Sequence, residues 1–325
     1  MERSISVNES QALLPRKKRT GLAAFIYEIA RNKLMYAMAL PGLLFFFVFS
    51  YLPMGGMIIA FQDFKAARGI TGSKFVGFKN FAYFFQTDEW ILIVWNTLYL
   101  NFLFILSGTV ISIAIAVMLT EIGSRWFKKG AQSFVILPHF ISWTVVAMLI
   151  TMLLSTDTGM VNKLIVSWGG EPIAFFQSPE HWPWLLMLMK VWHSAGFGSI
   201  VYLASIAGIN PDIYEAASID GASRWQKITF ITLPLLKTTV ILLLLLSIGK
   251  IFYGDFGMIY AIIGRNPLLY PTTDVIDTYV YRALTDLGDM SMAAAVGFFQ
   301  SVVGFILVVT VNQIAKKFNS ESAIF

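Results

Sequence analysis

The chain has 325 residues, of which 57% are hydrophobic and 13% charged, with mean hydropathy +0.68 and formal net charge +5. This balance excludes an ordinary soluble domain and indicates an integral membrane protein. Cysteine is absent, which excludes disulfide and thiolate chemistry, and basic loops facing anionic lipid explain a pI near 9.2 without nucleic acid.

Residues 1–20 are polar and basic with no periodicity and read as a disordered cytoplasmic tail. In residues 21–34, GLAAFIYEIARNKL, a stripe of Leu22, Phe25, Ile26 and Ile29 ends in Arg31 and Lys33. The pattern predicts a short helix along the inner membrane surface or, alternatively, an extension of the first span.

Residues 35–315 hold six long apolar runs: Met35 to Phe61, Ile91 to Leu119, Phe134 to Leu154, Trp184 to Ile209, Leu235 to Ile263 and Ser291 to Ile314. Each reaches the roughly 20 residues that a helix needs to cross a bilayer. Runs such as VILLLLLSI are apolar all round and lack the alternation of barrel strands, so the expected fold is all-α with six transmembrane helices. The first run is longer than a signal-peptide core and has no small-residue cleavage site, so it is expected to stay as a span. Residues 316–325 form a second cytoplasmic tail.

Orientation follows from the basic residues. With both termini cytoplasmic, that side receives the N-terminal cluster, Arg125, Lys128 and Lys129, then Arg224, Lys227 and Lys237, and finally Lys316 and Lys317. It then holds about twice as many Lys and Arg as the outer side, as the positive-inside rule requires. The outer loops near 62–90, 155–183 and 264–290 are long and rich in Gly, Pro and aromatics, which predicts folded caps, either for docking or for packing over helix ends. In the last span Ala293, Gly297 and Ser301 share one face suited to close helix contact.

Between the fourth and fifth runs lies GINPDIYEAASIDGASRWQKITFITLPLL. Asn210 is a suitable N-cap, Pro211 fits the first helical position, and Asp212 and Glu215 complement the positive end of the helix dipole. Gly221 can end that helix in a left-handed conformation. Ser223 and Gln226 have capping-box spacing, which predicts a second short helix that Pro234 breaks before the next span. Ala216 and Ala217 form a low-profile face, rimmed by Glu215, Arg224 and Lys227, that either enters a groove of another protein or rests on lipid.

Glu215-Ala216-Ala217, Gly221, Ile231 and Leu233-Pro234 match, without a gap, the spacing of the EAA loop of binding-protein-dependent ABC importer permeases, and the chain resembles that family. The segments MALPGLLFFFVFSYLPMGGMIIAFQDF, FVGFKNFAYFF, NTLYLN and DVIDTYVYRAL look like the maltose-type sugar permeases, in particular the multiple-sugar and polysaccharide-fragment subfamily, over residues 36–315. The resemblance implies an ABC importer permease fold in a bacterial cytoplasmic membrane, with the loop at 210–234 forming cytoplasmic coupling helices. Tyr214, Glu215, Ala216, Ala217, Asp220, Gly221, Arg224 and Trp225 inherit the ATPase-coupling role. The implied partners are a second EAA-type permease, making a heterodimer, two ATP-binding cassette subunits, an extracytoplasmic sugar-binding protein and an oligosaccharide. No phosphate-binding G-x-x-x-x-G-K-[ST] loop occurs, so ATP and Mg belong to the ATPase and this chain binds no cofactor. The large outer-loop domain of some maltose-type relatives has no room here.

A sugar path needs polar groups and aromatic faces. Lys190 and His193 share a helical face with Ser194 and Phe197, while Lys250 and Asp255 lie in IGKIFYGDFGMIY, where Gly249, Gly254 and Gly257 loosen a helix. Lys190, Trp192, His193, Tyr253 and Asp255 are the pathway candidates, with Trp143 and Tyr202 as further aromatics. Lys190 and Asp255 have an alternative role as a structural ion pair between spans. A basic residue in the path would suit acidic sugars. The rival readings are an ion-coupled secondary transporter, for which no repeated half is evident, and a membrane-embedded enzyme, for which neither H-E-x-x-H nor G-x-S-x-G occurs. No catalytic or metal-ligating residue is expected.

Overall fold

The computed structural model describes residues 22–318, so the tail at 1–20 and the last residues lie outside the described residues. Two units are distinguished, residues 1–57 and 58–325. In the first, α1 (Leu22–Arg31) ends at Asn32 and is followed by α2 (Lys33–Phe46), which contains Pro41 and buries none of its side chains. A π-helical turn over Phe47–Tyr51 follows, and the helical run continues through a 3-10 segment (Leu52–Phe61) that crosses the unit boundary.

The second unit begins with a small hairpin. β1 (Gln62–Asp63) and β2 (Lys74–Phe75) pair antiparallel around α3 (Gly69–Gly72), with Gln62 opposite Phe75. Next come α4 (Lys79–Gln86) and the long α5 (Glu89–Glu121). Then follow α6 (Arg125–Ile136), α7 (Trp143–Leu154), α8 (Met160–Ser167) and α9 (Trp182–Ala207). The remaining elements are α10 (Pro211–Ile219), α11 (Arg224–Lys227), α12 (Leu233–Ile248), α13 (Phe256–Ile263), α14 (Tyr270–Thr273), α15 (Ile276–Thr285) and α16 (Met290–Phe318).

Among the described residues, four helical runs are long and apolar enough to cross a membrane: Lys33–Phe61, Glu89–Glu121, Arg224–Ile248 and Met290–Ile314. A bent pair, Arg125–Phe140 with Trp143–Leu154, makes a fifth if counted as one span. Two expectations need correction. The run Phe134 to Leu154 is not straight, because the chain turns by 93° between its two parts. Ser142 starts the second part by accepting a hydrogen bond from the Val145 N–H, after Pro138 has tightened the preceding turn into a 3-10 helix. The run Leu235 to Ile263 is also broken: α12 ends at Ile248, residues 249–255 form an elbow, and α13 is a separate helix capped by Asp255. The fourth run is present as one helix, α9, of 26 residues; Lys190 and His193 lie within it, and it is not among the four.

α5 and α9 form the most extensive helix pair. Leu100 and Phe104 of α5 pack with Trp182, Leu186 and Met189 of α9 and with Met258, Ile259 and Ile262 of α13. A second cluster joins Phe84, Ile93, Phe252, Ile276, Tyr279 and Val296. A third joins Ala116, Val117, Tyr202, Ile206 and Leu236. The close helix approaches occur at Gly196, where a Cβ would collide with the Val135 carbonyl, and at Gly198, where it would lie 2.7 Å from the Ser112 hydroxyl. Gly297, by contrast, has nothing within 4 Å, so the small-residue face predicted around it is not a close contact within the chain at that point.

The loops at 155–183 and 264–290 are folded against each other. The Asn266 side-chain amide donates to the Phe176 carbonyl (2.8 Å), and the Thr272 hydroxyl donates to that of Pro179 (2.6 Å). Arg282 donates both terminal nitrogens to Asp274 (3.0 and 2.8 Å) and lies over the rings of Tyr270 and Tyr279. A bidentate, aromatic-flanked guanidinium holds a fixed geometry that a flexible linker would lack.

Candidate functional site

Two features stand out, a capped loop and a cavity, and one helical run joins them. In the loop, Asn210 caps α10 by accepting from the Asp212 N–H (3.1 Å), with Pro211 in the first turn. Gly221 has φ +77°, and the Gly221 and Ala222 N–H groups donate to the carbonyls of Ser218 (3.2 Å) and Ala217 (2.9 Å). These paired bonds are a Schellman ending, which requires a left-handed residue where glycine sits. The Ser223 N–H donates to Gln226 Oε1 (2.7 Å) and the Gln226 N–H to Ser223 Oγ (3.3 Å), so the capping box is present.

Contrary to expectation, Pro234 does not interrupt the helix in which it sits. α11 passes through a π-helical turn, Ile228–Thr232, directly into α12, and Arg224–Ile248 forms one helical run. The Leu233 N–H donates to the Ile228 carbonyl, so the turn is one residue wider than an α-turn just before the proline. The Tyr214 hydroxyl bonds to that of Thr232 (2.9 Å), and Lys227 Nζ donates to Ser218 Oγ (2.6 Å), fastening α10 to this run. On the outside of the loop, Ile219 is 88% and Trp225 73% exposed.

The cavity, of about 750 Å³, lies between α5, α9, α12 and the elbow. Its walls include Asn101, Thr109 and Ser112 from α5, Lys190, Ser194 and Tyr202 from α9, Leu243, Leu246 and Ser247 from α12, and Lys250, Tyr253 and Asp255 from the elbow. Lys190 Nζ donates to Asp255 Oδ2 (2.5 Å), with side chains 29% and 25% exposed, while Asp255 Oδ1 accepts the Met258 N–H (3.2 Å) at the start of α13. The elbow is fixed from two sides. Asn101 donates to the carbonyls of Ile251 (3.0 Å) and Tyr253 (3.1 Å), and Asp277 Oδ2 accepts the Gly254 N–H (2.6 Å) and the Gln300 amide (3.0 Å).

A family model for the binding-protein-dependent transport system inner membrane component matches residues 108–320, which include both the loop and most of the cavity wall. The chain belongs to this family. This permease is 39% identical over 296 residues to the polygalacturonan/rhamnogalacturonan transport system permease protein YteP of Bacillus subtilis (strain 168), covering 91% of this chain and 92% of that one. It is 38% identical to protein LplB of the same strain, covering 90% and 92%. Its fold superposes on a chain of a bacterial ABC transporter involved in import of the acidic polysaccharide alginate, with TM-score 0.83, 37% identity and coverage of 91% of this chain and 99% of that one. A second structure of a bacterial alginate ABC transporter, in complex with its alginate pentasaccharide-bound periplasmic protein, matches with TM-score 0.81 and 38% identity over 90% and 97%.

Within this permease the pathway candidates separate. Lys190, Tyr253 and Asp255 line the cavity, and Lys190 and Asp255 form the ion pair that their sequence raised as an alternative role. His193 is buried outside the lining: its Nε2 lies 2.9 Å from the Ile141 carbonyl, and its ring stacks on Trp143 at 4.0 Å. It fastens α9 to the bend before α7. Trp192 is half-exposed and lies outside the lining, as does Trp143, whereas Tyr202 is in it. Among the coupling candidates, Glu215, Ala216, Asp220, Gly221, Arg224 and Trp225 are exposed and Ala217 half-buried, while Tyr214 is turned inward as a brace. Sequence reasoning does not single out Asn101 or Asp277. Their signal is a polar side chain in or beside an apolar run, which marks a partner without naming it.

Proposed function

We infer that this permease is one transmembrane subunit of an ATP-driven importer of oligosaccharides, acidic ones included. In this reading it crosses a bacterial inner membrane six times with both termini cytoplasmic. It would pair with a second permease, two ATPase subunits that bind ATP and Mg, and an extracytoplasmic sugar-binding protein. The observation that carries the reading is the unbroken run from Arg224 to Ile248, which begins at the capped loop and ends as a wall of the cavity. A rotation applied to the loop by a motor outside the bilayer reaches Leu243, Leu246 and Ser247 without crossing a hinge. The exposed Ile219 and Trp225 supply the apolar anchors that such a docking surface needs. The cavity supplies hydroxyls, an amide and aromatic faces, the groups that bind sugars. The named substrates of the similar proteins, polygalacturonan and alginate, support an acidic oligosaccharide.

The test is assembly. Glu215→Trp leaves membrane insertion intact while lowering recovery of the ATPase subunits and sugar-stimulated ATP hydrolysis. Unchanged assembly and hydrolysis would overturn the reading. Uptake that collapses with ion gradients at constant ATP would replace it with an ion-coupled carrier.

A further inference from the structure

Three side chains of formally charged type line the cavity, Lys190, Lys250 and Asp255. Lys190 and Asp255 neutralise each other in a direct ion pair, and the second oxygen of Asp255 is held by a backbone N–H at the start of α13. Asp277, the other acid beside the elbow, has one oxygen engaged by Gly254 and Gln300. No carboxylate among the described residues pairs with Lys250, which is exposed and lies on the wall of this cavity and of a smaller apolar one beside α16. The cavity wall therefore carries one net positive charge, located at Lys250. An unpaired ammonium on the cavity wall favours an anion and offers a neutral sugar little beyond an ordinary hydrogen bond.

We propose that Lys250 is the specificity-determining residue that reads a sugar carboxylate in the cavity, and that the Lys190–Asp255 pair is a neutral clamp holding the elbow to α9. The inference rests on the reading of the chain as an oligosaccharide permease and assigns the charge discrimination of that site to one residue.

The experiment uses the assembled importer in nanodiscs without its binding protein, so that the selectivity of that protein does not enter. Equilibrium dialysis measures binding of oligogalacturonate and of the same oligomer with its carboxyl groups reduced to alcohols. Lys250→Gln weakens oligogalacturonate binding by about tenfold or more, the loss expected for one charge-assisted hydrogen bond, and leaves the reduced oligomer unchanged. Lys250→Arg retains the acidic preference. The double variant Lys190→Gln with Asp255→Asn keeps the cavity charge and also retains it. Retained binding of the reduced oligomer shows that the Lys250→Gln complex is folded. Equal loss of both ligands in that variant, no loss of either, or a selective loss in the double variant instead would overturn the assignment. In proteoliposomes with its binding protein present, failure of the wild-type importer to take up any oligosaccharide with ATP would instead overturn the function proposed above.

Discussion

Gly221 is the position where backbone conformation alone links sequence to the coupling proposed for the loop. It has φ +77°, and a Cβ at this position would find nothing within 4 Å, so the whole cost of Gly221→Val is conformational. A left-handed L-residue costs about 1–2 kcal/mol, and valine, branched at Cβ, lies at the upper end. Relief of that strain breaks the bonds to Ser218 and Ala217, each worth about 1 kcal/mol net. Kept or relieved, the strain costs about 2 kcal/mol, which lowers the ratio of ordered to disordered loop roughly 30-fold. Hydrogen exchange on the assembled complex should show faster exchange at the amides of residues 221 and 222, together with reduced sugar-stimulated hydrolysis, while the span amides stay protected. Gly221→Asn, which tolerates the left-handed region, should recover most of both. An asparagine variant as impaired as the valine variant would refute the argument, because the requirement would then be an empty surface and not a backbone shape.

Asp255→Ala should be less stable than Asp255→Asn by about 1 kcal/mol in thermal melts, because the amide oxygen still caps α13 after the charge is gone. Equal melting would show that the cap contributes nothing; exchanging Lys190 and Asp255 should restore only part of the loss, since a lysine at 255 cannot accept the Met258 N–H. Burial raises the Asp277 carboxyl above its usual range, against the opposing hydrogen bonds from Gly254 and Gln300. The folded state thus holds that proton more tightly than the unfolded chain, and stability falls as pH rises from about 4 through the raised folded value. Asp277→Asn should flatten that slope and melt higher than wild type at neutral pH; lower melting at every pH would refute the sign. Gly196→Ala should prevent recovery of folded protein because its methyl enters the Val135 carbonyl, whereas Gly297→Ala should be neutral or slightly stabilising in the same expression and melting assays.

The contrast between those two glycines shows where the sequence was legible. Local signals carried through: Asn210, Gly221, Ser223 and Gln226 each do what residue type and spacing predict, because a cap is decided within about one helical turn. Hydropathy located the apolar runs but not their breaks. The bend at Ile141 and Ser142 depends on His193 reaching the Ile141 carbonyl from a helix 52 residues away, and the elbow depends on Asn101 and Asp277 holding it from both sides. Such contacts have no signature in a window of apolar residues. The same applies to Trp192 and His193: helical spacing put them beside Lys190, but only packing decides that Lys190 faces the cavity and His193 the bend.

Pro234 is the instructive failure, since the rule that misled is sound in an ordinary α-helix. A proline there lacks the donor for the carbonyl four residues back, and its ring strikes that carbonyl. Here the preceding turn is widened by one residue, so the Leu233 N–H bonds to the Ile228 carbonyl. Threonine side chains take up other carbonyls, with Thr229 donating to Trp225 (2.8 Å) and Thr232 lying 3.4 Å from that of Lys227. The same device recurs in the first helical run, where the π-turn Phe47–Tyr51 precedes Pro53 by the same interval. A proline at a simple break would have made a hinge between the loop and the cavity. Seated after a π-turn and braced by Tyr214 on Thr232, it leaves a stiff segment, and a stiff segment transmits a rotation that a hinge would absorb.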